Sequence, residues 1–434
     1  MDFTFTKELA AFHIRSVEHF CSICKCGDHG RGCRSPIQDG VEDPRACAIL
    51  VLKEHSLVEL PPFLLDRWIE QKHAPDSAIE YDLASSTGPV WTLRELLALS
   101  GGNELDALLD TPISYTSATG TPALRAAIAA LEGVEPDAVQ VVTGASEALL
   151  ILFFLAAEPG ANVVLPNPGF PANTALAESL GIAVRYYNLR AANRFRIDPD
   201  EIRRLVDRDT RLLLVNTPHN PTGAVLSDQE MDSLHDFCAE RGVQFVSDQV
   251  YHPIYHGPET RTAARLPHVT VIGDFSKALC LSGLRLGWMV DRDPRRRERY
   301  LNARSYFTVT ANVFGEHLAV LALEHSREIY AGARQVAQQN LALLDTVFAR
   351  HAGLLNWVRP AGGMTAFPWL ASGADTRDFC RDLVRRGVLT VPGDCFGQPS
   401  HFRLGFAAWA NASLGPSSAS PTSSTPARAA KRDN

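Results

Sequence analysis

Seven short apolar runs constrain the middle of this chain more than any other feature. They are VQVV (139–142), NVVL (162–165), AVRYYNL (183–189), RLLLVN (211–216), VQFVS (243–247), VTVIG (269–273) and GWMV (287–290). Runs this short, rich in Val, Ile and aromatic residues, read as strands buried on both faces. Helical stretches lie between them: from Ser146, around Ala175 to Leu180, near Asp198 to Val206, and from Ser227. At the last of these, Ser227 and Glu230 form the S-x-x-E pattern of a capping box. The alternation predicts an α/β fold built on a large, mostly parallel sheet covered on both sides.

After Ala311 the pattern turns helical through about Arg350. Then WVRP, MTAFPWL, VLTVPG and HFRLGF read as short strands, with a helix from Thr376 to Arg386. This is a second, smaller α/β unit. The predicted division is a large domain over 106–310 and a small domain made of 56–105 with 311–408. The body runs from about Leu60 to Ala408. Beyond it, 409–434 is rich in Ser, Ala and Pro and reads as a disordered tail that replaces a closing helix.

The 434 residues are 45% hydrophobic and 21% charged, the mix of a soluble globular protein, and the net charge of -7 argues against a nucleic-acid partner. The longest apolar run, Leu149 to Ala157, falls far short of the roughly 20 residues of a membrane span, and no secretory signal pattern is visible. Five of the nine cysteines crowd into the first 47 residues (Cys21, Cys24, Cys26, Cys33, Cys47). With His29 they are the right types for zinc, but the spacing is not that of paired CxxC knuckles. Segment 1–55 is therefore read as a poorly ordered extension, and no metal is expected. The scattered remaining thiols suit a reducing cytoplasm.

In open parallel sheets ligands sit beyond the carboxyl ends of the strands. There the sequence places Gly144, Ala145, Ser146 and Glu147 after VQVV, and Phe170 after NVVL. It places His219 and Asn220 after RLLLVN, Asp248 and Tyr251 after VQFVS, and Ser276, Lys277 and Arg285 after VTVIG. A helix start and two hydroxyls with an arginine suit a phosphate. Phe170 offers a ring for stacking, Asp248 a carboxylate, Asn220 and Tyr251 partners for a phenolate oxygen, and Lys277 an amine for a Schiff base. A planar phosphorylated aldehyde with a ring nitrogen and a phenol satisfies them all, which is pyridoxal 5'-phosphate (PLP). The bland readings are a surface lysine for Lys277, a helix cap for Asp248, core packing for Phe170, a surface ion pair for Arg403, and loop packing for His219.

Through NTPHNPTG, SDQVY and SKALCLSGLRLGW the chain resembles the fold-type-I PLP enzymes, specifically the class I/II aminotransferases, over about Pro61 to Phe406. Through YDLASSTGPVWTLRELLAL and ISYTSATGTPALRAAIA it is similar to a bacterial subgroup that includes capreomycidine-synthase-like proteins. The resemblance implies an aspartate-aminotransferase-like fold and a cytoplasmic homodimer. It implies that Lys277 carries the cofactor, Asp248 meets the pyridine nitrogen, and Asn220 and Tyr251 bond the ring oxygen. Gly144, Ala145, Ser146, Ser276 and Arg285 would form the phosphate cup, with Phe170 stacked on the ring. Arg403 would grip the substrate α-carboxylate, and Tyr115 would reach the neighbouring subunit's cofactor. SDQVY departs from many relatives in having Gln249 where they carry Glu. The implied reaction moves an amino group between an L-α-amino acid and a 2-oxo acid. The alternatives are a PLP-dependent lyase or cyclase and, from another class, a PLP-binding transcription regulator. The regulator would need a helix-turn-helix module before residue 60, where no such pattern is found.

Overall fold

The computed structural model describes residues 60–101 and 104–408, so the Cys-rich extension and the tail after 408 lie outside the described residues. The described chain opens with a short helix α1 (Leu64–Ile69) and a two-residue strand β1 (Tyr81–Asp82). Helices α2 (Leu93–Ala98), α3 (Glu104–Leu109) and α4 (Pro122–Glu132) follow. Thr92 and Glu95 close a capping box at the start of α2, and Thr121 accepts a hydrogen bond from Leu124 N ahead of Pro122 in α4.

All seven apolar runs form strands: β2 (Val139–Val142), β3 (Asn162–Asn167), β4 (Ala183–Asn188), β5 (Thr210–Asn216), β6 (Gln244–Asp248), β7 (Val269–Asp274) and β8 (Gly287–Asp291). They make one sheet in the order β2-β8-β7-β6-β5-β3-β4. Every pairing is parallel except those of β8, which runs antiparallel to both β2 and β7. The intervening helices are α5 (Gly144–Ala156), α6 (Pro171–Ser179), α7 (Pro199–Leu205) and α8 (Asp228–Arg241). The expected capping box at Ser227 is formed, with Ser227 N donating to Glu230 Oε2 at 2.8 Å. Helix α6 starts at Pro171, earlier than Ala175, because proline at the first helical position is already set to a helical φ. Helix α5 starts two residues before Ser146, at Gly144.

Helix α9 (Pro294–Phe307) has no counterpart among the expected elements. Its sequence, PRRRERYLNARSYF, is charged at so many positions that its buried face reduces to Tyr300, Ala303 and Arg304. Helices α10 (Val313–Glu324) and α11 (Ser326–Arg350) fill the helical stretch after Ala311. The rest of the described chain comprises β9 (Leu355–Asn356), β10 (Thr365–Ala366), β11 (Trp369–Leu370), α12 (Arg377–Arg385), β12 (Val388–Leu389), β13 (Val391–Pro392) and β14 (Phe402–Gly405). WVRP is not itself a strand; the paired residues lie just before it, in β9. MTAFPWL breaks into β10 and β11 around Pro368, which has no N–H to give to a ladder.

Segments far apart in sequence meet here. Strand β1 pairs in parallel with β12, Tyr81 opposite Val388 and Asp82 opposite Leu389. Trp68 Nε1 donates to Thr390 O at 2.6 Å, and Gly405 N donates to Leu83 O at 2.7 Å. A Cβ on Gly405 would lie 1.7 Å from Ser85 O, a backbone atom that cannot swing aside. Gly405→Ala is therefore expected to destabilise the fold by about 1–3 kcal/mol in urea unfolding, as overpacking does. Gly353→Ala, where a Cβ meets nothing within 4 Å, should leave the midpoint in place.

Candidate active site

The site grows from the carboxyl edge of the sheet. The ends of β5 and β6 are in register, Asn216 opposite Asp248, and Asp248 in turn stands opposite Ile272 of β7. Asn216 Nδ2 donates to Asp248 O at 3.1 Å, and Asn216 Oδ1 accepts from Asn220 N at 2.7 Å. One side chain thus ties the NTPHNPTG loop to the end of β6. Asp248 is buried, and Val250 N donates to its Oδ1 at 3.2 Å. Burial pushes its carboxyl up to about 7, with Asp274 adding to the rise and Val250 N and Lys277 opposing it.

At the next strand end Asp274 acts as a clamp. Its carboxylate accepts Ala145 N at 2.9 Å, at the start of α5, and also accepts Ser276 N. Arg285, in the left-handed conformation at φ 52°, reaches back so that Nη1 donates to Ser276 Oγ at 3.3 Å and Ser282 O at 3.1 Å. Gly144 has φ 73°, and a Cβ there would lie 2.8 Å from Arg285 Nη2. Only glycine lets the guanidinium come this close to the helix start. The result is a hydroxyl, a guanidinium and the start of a helix converging, which is the composition of an anion site.

Lys277 Nζ donates to Ser86 Oγ at 3.0 Å. Arg403, on β14, is 1% exposed; its Nη1 donates to Asn220 Oδ1 at 3.3 Å and its Nη2 to Ala84 O at 2.8 Å. No carboxylate pairs with it among the described residues, its Nε is buried without a partner, and burial lowers its pKa. Tyr251 Oη is likewise buried without a partner. Phe170, half-buried, meets the edge of Phe63 with ring centres 5.9 Å apart. These groups line one open cavity of about 350 Å³. A second, more apolar cavity lies beyond Phe170, between Phe63 and Tyr186.

Of the residues expected from sequence, Ala145, Ser146, Phe170, Asn220, Asp248, Tyr251, Ser276, Lys277, Arg285 and Arg403 all line this cavity. Gly144 sits just behind its wall. Tyr115 does not line it and is 84% exposed. His219 is buried, its Nδ1 is 2.9 Å from Thr222 Oγ1, and burial pushes its pKa down to about 3, which suits loop packing rather than a base. Glu147 accepts Thr143 N at the start of α5, which satisfies a helix-end donor. Gln249 faces away, its Oε1 accepting Ala263 N at 3.0 Å. Several cavity residues go beyond the expected set, among them the polar Asp66, Ser86, Asn216 and Asp274. Asp274 closes the VTVIG run and was within reach of the strand-end argument. Asp66 and Ser86 have no local signal, because the segment that carries them reaches the site only through tertiary packing.

Among known proteins, a family model described as aminotransferase class I and II matches residues 107–414. Capreomycidine synthase from Streptomyces vinaceus is 33% identical over 357 residues, spanning 80% of this chain and 90% of that protein. A PLP-dependent aminotransferase structure from Streptococcus suis superposes with a TM-score of 0.75 at 30% identity, covering 81% of this chain and 94% of that one. The structure of the PLP-dependent cyclase OrfR gives a TM-score of 0.73 at 28% identity, with the same coverage.

The raised carboxyl of Asp248 has a consequence for the cofactor-free protein. A folded-state value near 7 against an ordinary 3.8 means that stability is full below pH 4 and is lost as the pH rises towards and through 7. Asp248→Asn should therefore stabilise the cofactor-free protein at pH 8, by an amount on the order of a few kcal/mol at most, and give no gain at pH 4. Urea unfolding at the two pH values reads the difference.

Proposed function

The chain belongs to the aminotransferase class I and II family and is a pyridoxal 5'-phosphate-dependent aminotransferase, exchanging an amino group between an amino acid and a 2-oxo acid. We propose that Lys277 is its reacting amine and that the groups converging on Lys277 hold cofactor and substrate. The convergence of Lys277, Asp248, Tyr251, Ser276, Arg285 and Arg403 on one cavity carries this reading.

The donor set fits the cofactor. Asp248 is a buried carboxylate whose raised pKa marks the lack of a full cationic partner, and a protonated pyridine nitrogen supplies one. Tyr251 Oη, buried and unpartnered, and Asn220 suit the ring oxygen, and Phe170 suits the ring face. Ser146, Ser276, Arg285 and the start of α5 suit the phosphate. When bound, PLP supplies the electron-withdrawing system that makes the substrate Cα–H bond acidic. The rest is work for the chain. Arg403 takes the α-carboxylate in a two-pronged grip, which orients the Cα–H bond. Lys277 Nζ takes the Cα proton and carries it away from Cα, since returning it there would leave the amino group untransferred, and Ser86 Oγ holds Nζ in place. The buried setting of Arg403 and Asp248 keeps both interactions out of water, where they are stronger.

The same reading treats 106–310 as the cofactor-binding domain and 56–105 with 311–408 as the small domain, supported by the pairing of β1 with β12. It also makes the enzyme a homodimer in which Tyr115 serves the other subunit. Ile113, Tyr115 and Tyr306 support this, since each is more than 80% exposed and large and apolar enough to want cover. A reducing cytoplasm is supported by four free, buried cysteines, Cys238, Cys280, Cys380 and Cys395. No helix among the described residues is long and apolar enough to cross a membrane. A second reading, elimination or cyclisation on the same cofactor, is favoured by the likeness to capreomycidine synthase and to the cyclase OrfR.

An absorbance titration separates the two. Under transamination, one amino acid added alone shifts the visible band of the bound cofactor, and pyruvate or 2-oxoglutarate restores it. Release of ammonia and an oxo acid without any need for a second oxo acid would transfer the assignment to the lyase or cyclase reading. Lys277→Ala should lower kcat by at least about 10²–10⁴-fold, the range of a lost acid–base group. Arg403→Lys should raise KM about 10-fold or more, since a point charge cannot reproduce the fork. Sedimentation of the holoenzyme tests the dimer.

A further inference from the structure

We propose that Arg304 is a positioning residue for the cofactor: buried behind the phosphate cup, it cancels the charge of Glu147 and so keeps the start of α5 open to a phosphate dianion. This rests on the reading above in one respect, that the phosphate lies at the start of α5.

Glu147 is the charge that has to be cancelled. It follows Gly144, Ala145 and Ser146 on α5 and is buried. Its carboxylate folds back on the helix start, where Oε2 accepts Thr143 N and Oε1 accepts Thr308 Oγ1, both at 2.5 Å. A carboxylate by itself is at home there, because the helix dipole favours a negative charge at that end. A phosphate wants the same end of the same helix. Two anions at one helix start repel, and with little water between them the repulsion is large. Left alone, Glu147 would work against the group that the cup holds.

Arg304 supplies the opposite charge from behind. It lies on α9, is 0% exposed, and its Nε stands 3.6 Å from Glu147 Oε2. Its Nη1 donates to Ala118 O, in the turn ahead of α4. Nε and Nη2 are buried without a hydrogen-bond partner. An arginine kept only to tie segments together would use more of its five N–H donors. A buried guanidinium so sparsely bonded is costly, and what it offers in return is its charge. The next carboxylate, Glu316 on α10, is already satisfied by Thr121 N at 2.7 Å and Thr116 Oγ1 at 3.2 Å. Neither Arg304 nor Glu147 lines the cavity, so the pair acts on a bound phosphate through its field and through the helix start.

The test compares PLP with pyridoxal, which lacks the phosphate, on the full chain stripped of cofactor. Dissociation constants are read from the visible band that each ligand gives on binding. The wild type is expected to prefer PLP. Arg304→Met strands the Glu147 carboxylate and should lower that preference about 10–100-fold, the usual size of coupling between two sites, by weakening PLP while leaving pyridoxal nearly in place. Adding Glu147→Gln to Arg304→Met makes a neutral pair and should restore the preference. Glu147→Gln alone should raise it above the wild type. Equal loss of affinity for both ligands in Arg304→Met overturns the proposal and leaves Arg304 as an anchor for the turn at Ala118. An unchanged preference, or a double variant that fails to recover it, overturns the proposal as well. If Arg304→Met does not fold, Glu147→Gln decides, and a preference at or below that of the wild type is fatal. A wild type that takes pyridoxal as tightly as PLP overturns the phosphate reading itself and this proposal with it, a failure visible before any variant is made.

Discussion

The register of three parallel strands is the constraint on which the site depends. Asn216, Asp248 and Ile272 lie side by side at the carboxyl edge, and a slip of one residue in β6 would turn Asp248 to the opposite face of the sheet. Asn216 locks this register from both sides by bonding Asp248 O and Asn220 N. The sheet is buried on both faces, so the apolar runs that form it also fix where its polar ends emerge. The clamp at Asp274 repeats the device one strand along, and it joins the helix start to the turn that carries Ser276 and Lys277.

The electrostatics of the cavity are those of a place set aside for ligands. Arg403 and Asp248 are both buried, and burial works against the charge of each: it lowers the pKa of the first and raises that of the second. Neither is neutralised by the other. A protein that only had to fold would do better with apolar groups at both positions. Keeping two opposite charges apart makes sense when each meets a different part of a bound molecule.

Much of this was legible in the sequence, and the reason is physical. A buried parallel strand must be an unbroken apolar run, and residues that do chemistry must follow it, so Asp248, Lys277 and Asn220 stand out at the ends of VQFVS, VTVIG and RLLLVN. Capping at Ser227 is equally local. Helix α9 was not legible, because its arginines hide the stripe that would announce it. Nor were the two-residue strands of the small unit, which are too short for any period to show. Ser86 and Asp66 escaped for another reason: Ser86 meets Lys277 across 191 positions of chain, and nothing near either residue in sequence encodes the meeting. Tyr115 came from resemblance, and within this chain it stands on the surface, away from the cavity.

The fastening of the N-terminal segment to the C-terminal strands bears on more than stability. Trp68, two residues beyond Asp66, is bonded to Thr390 and covered by the Arg377 guanidinium 5.3 Å above its ring. Leu83 and Ala84 are bonded to Gly405 and Arg403. One framework thus carries both the wall of the cavity built by α1 and the arginine that lines it from β14, so damage at either end of the described chain is felt at the other.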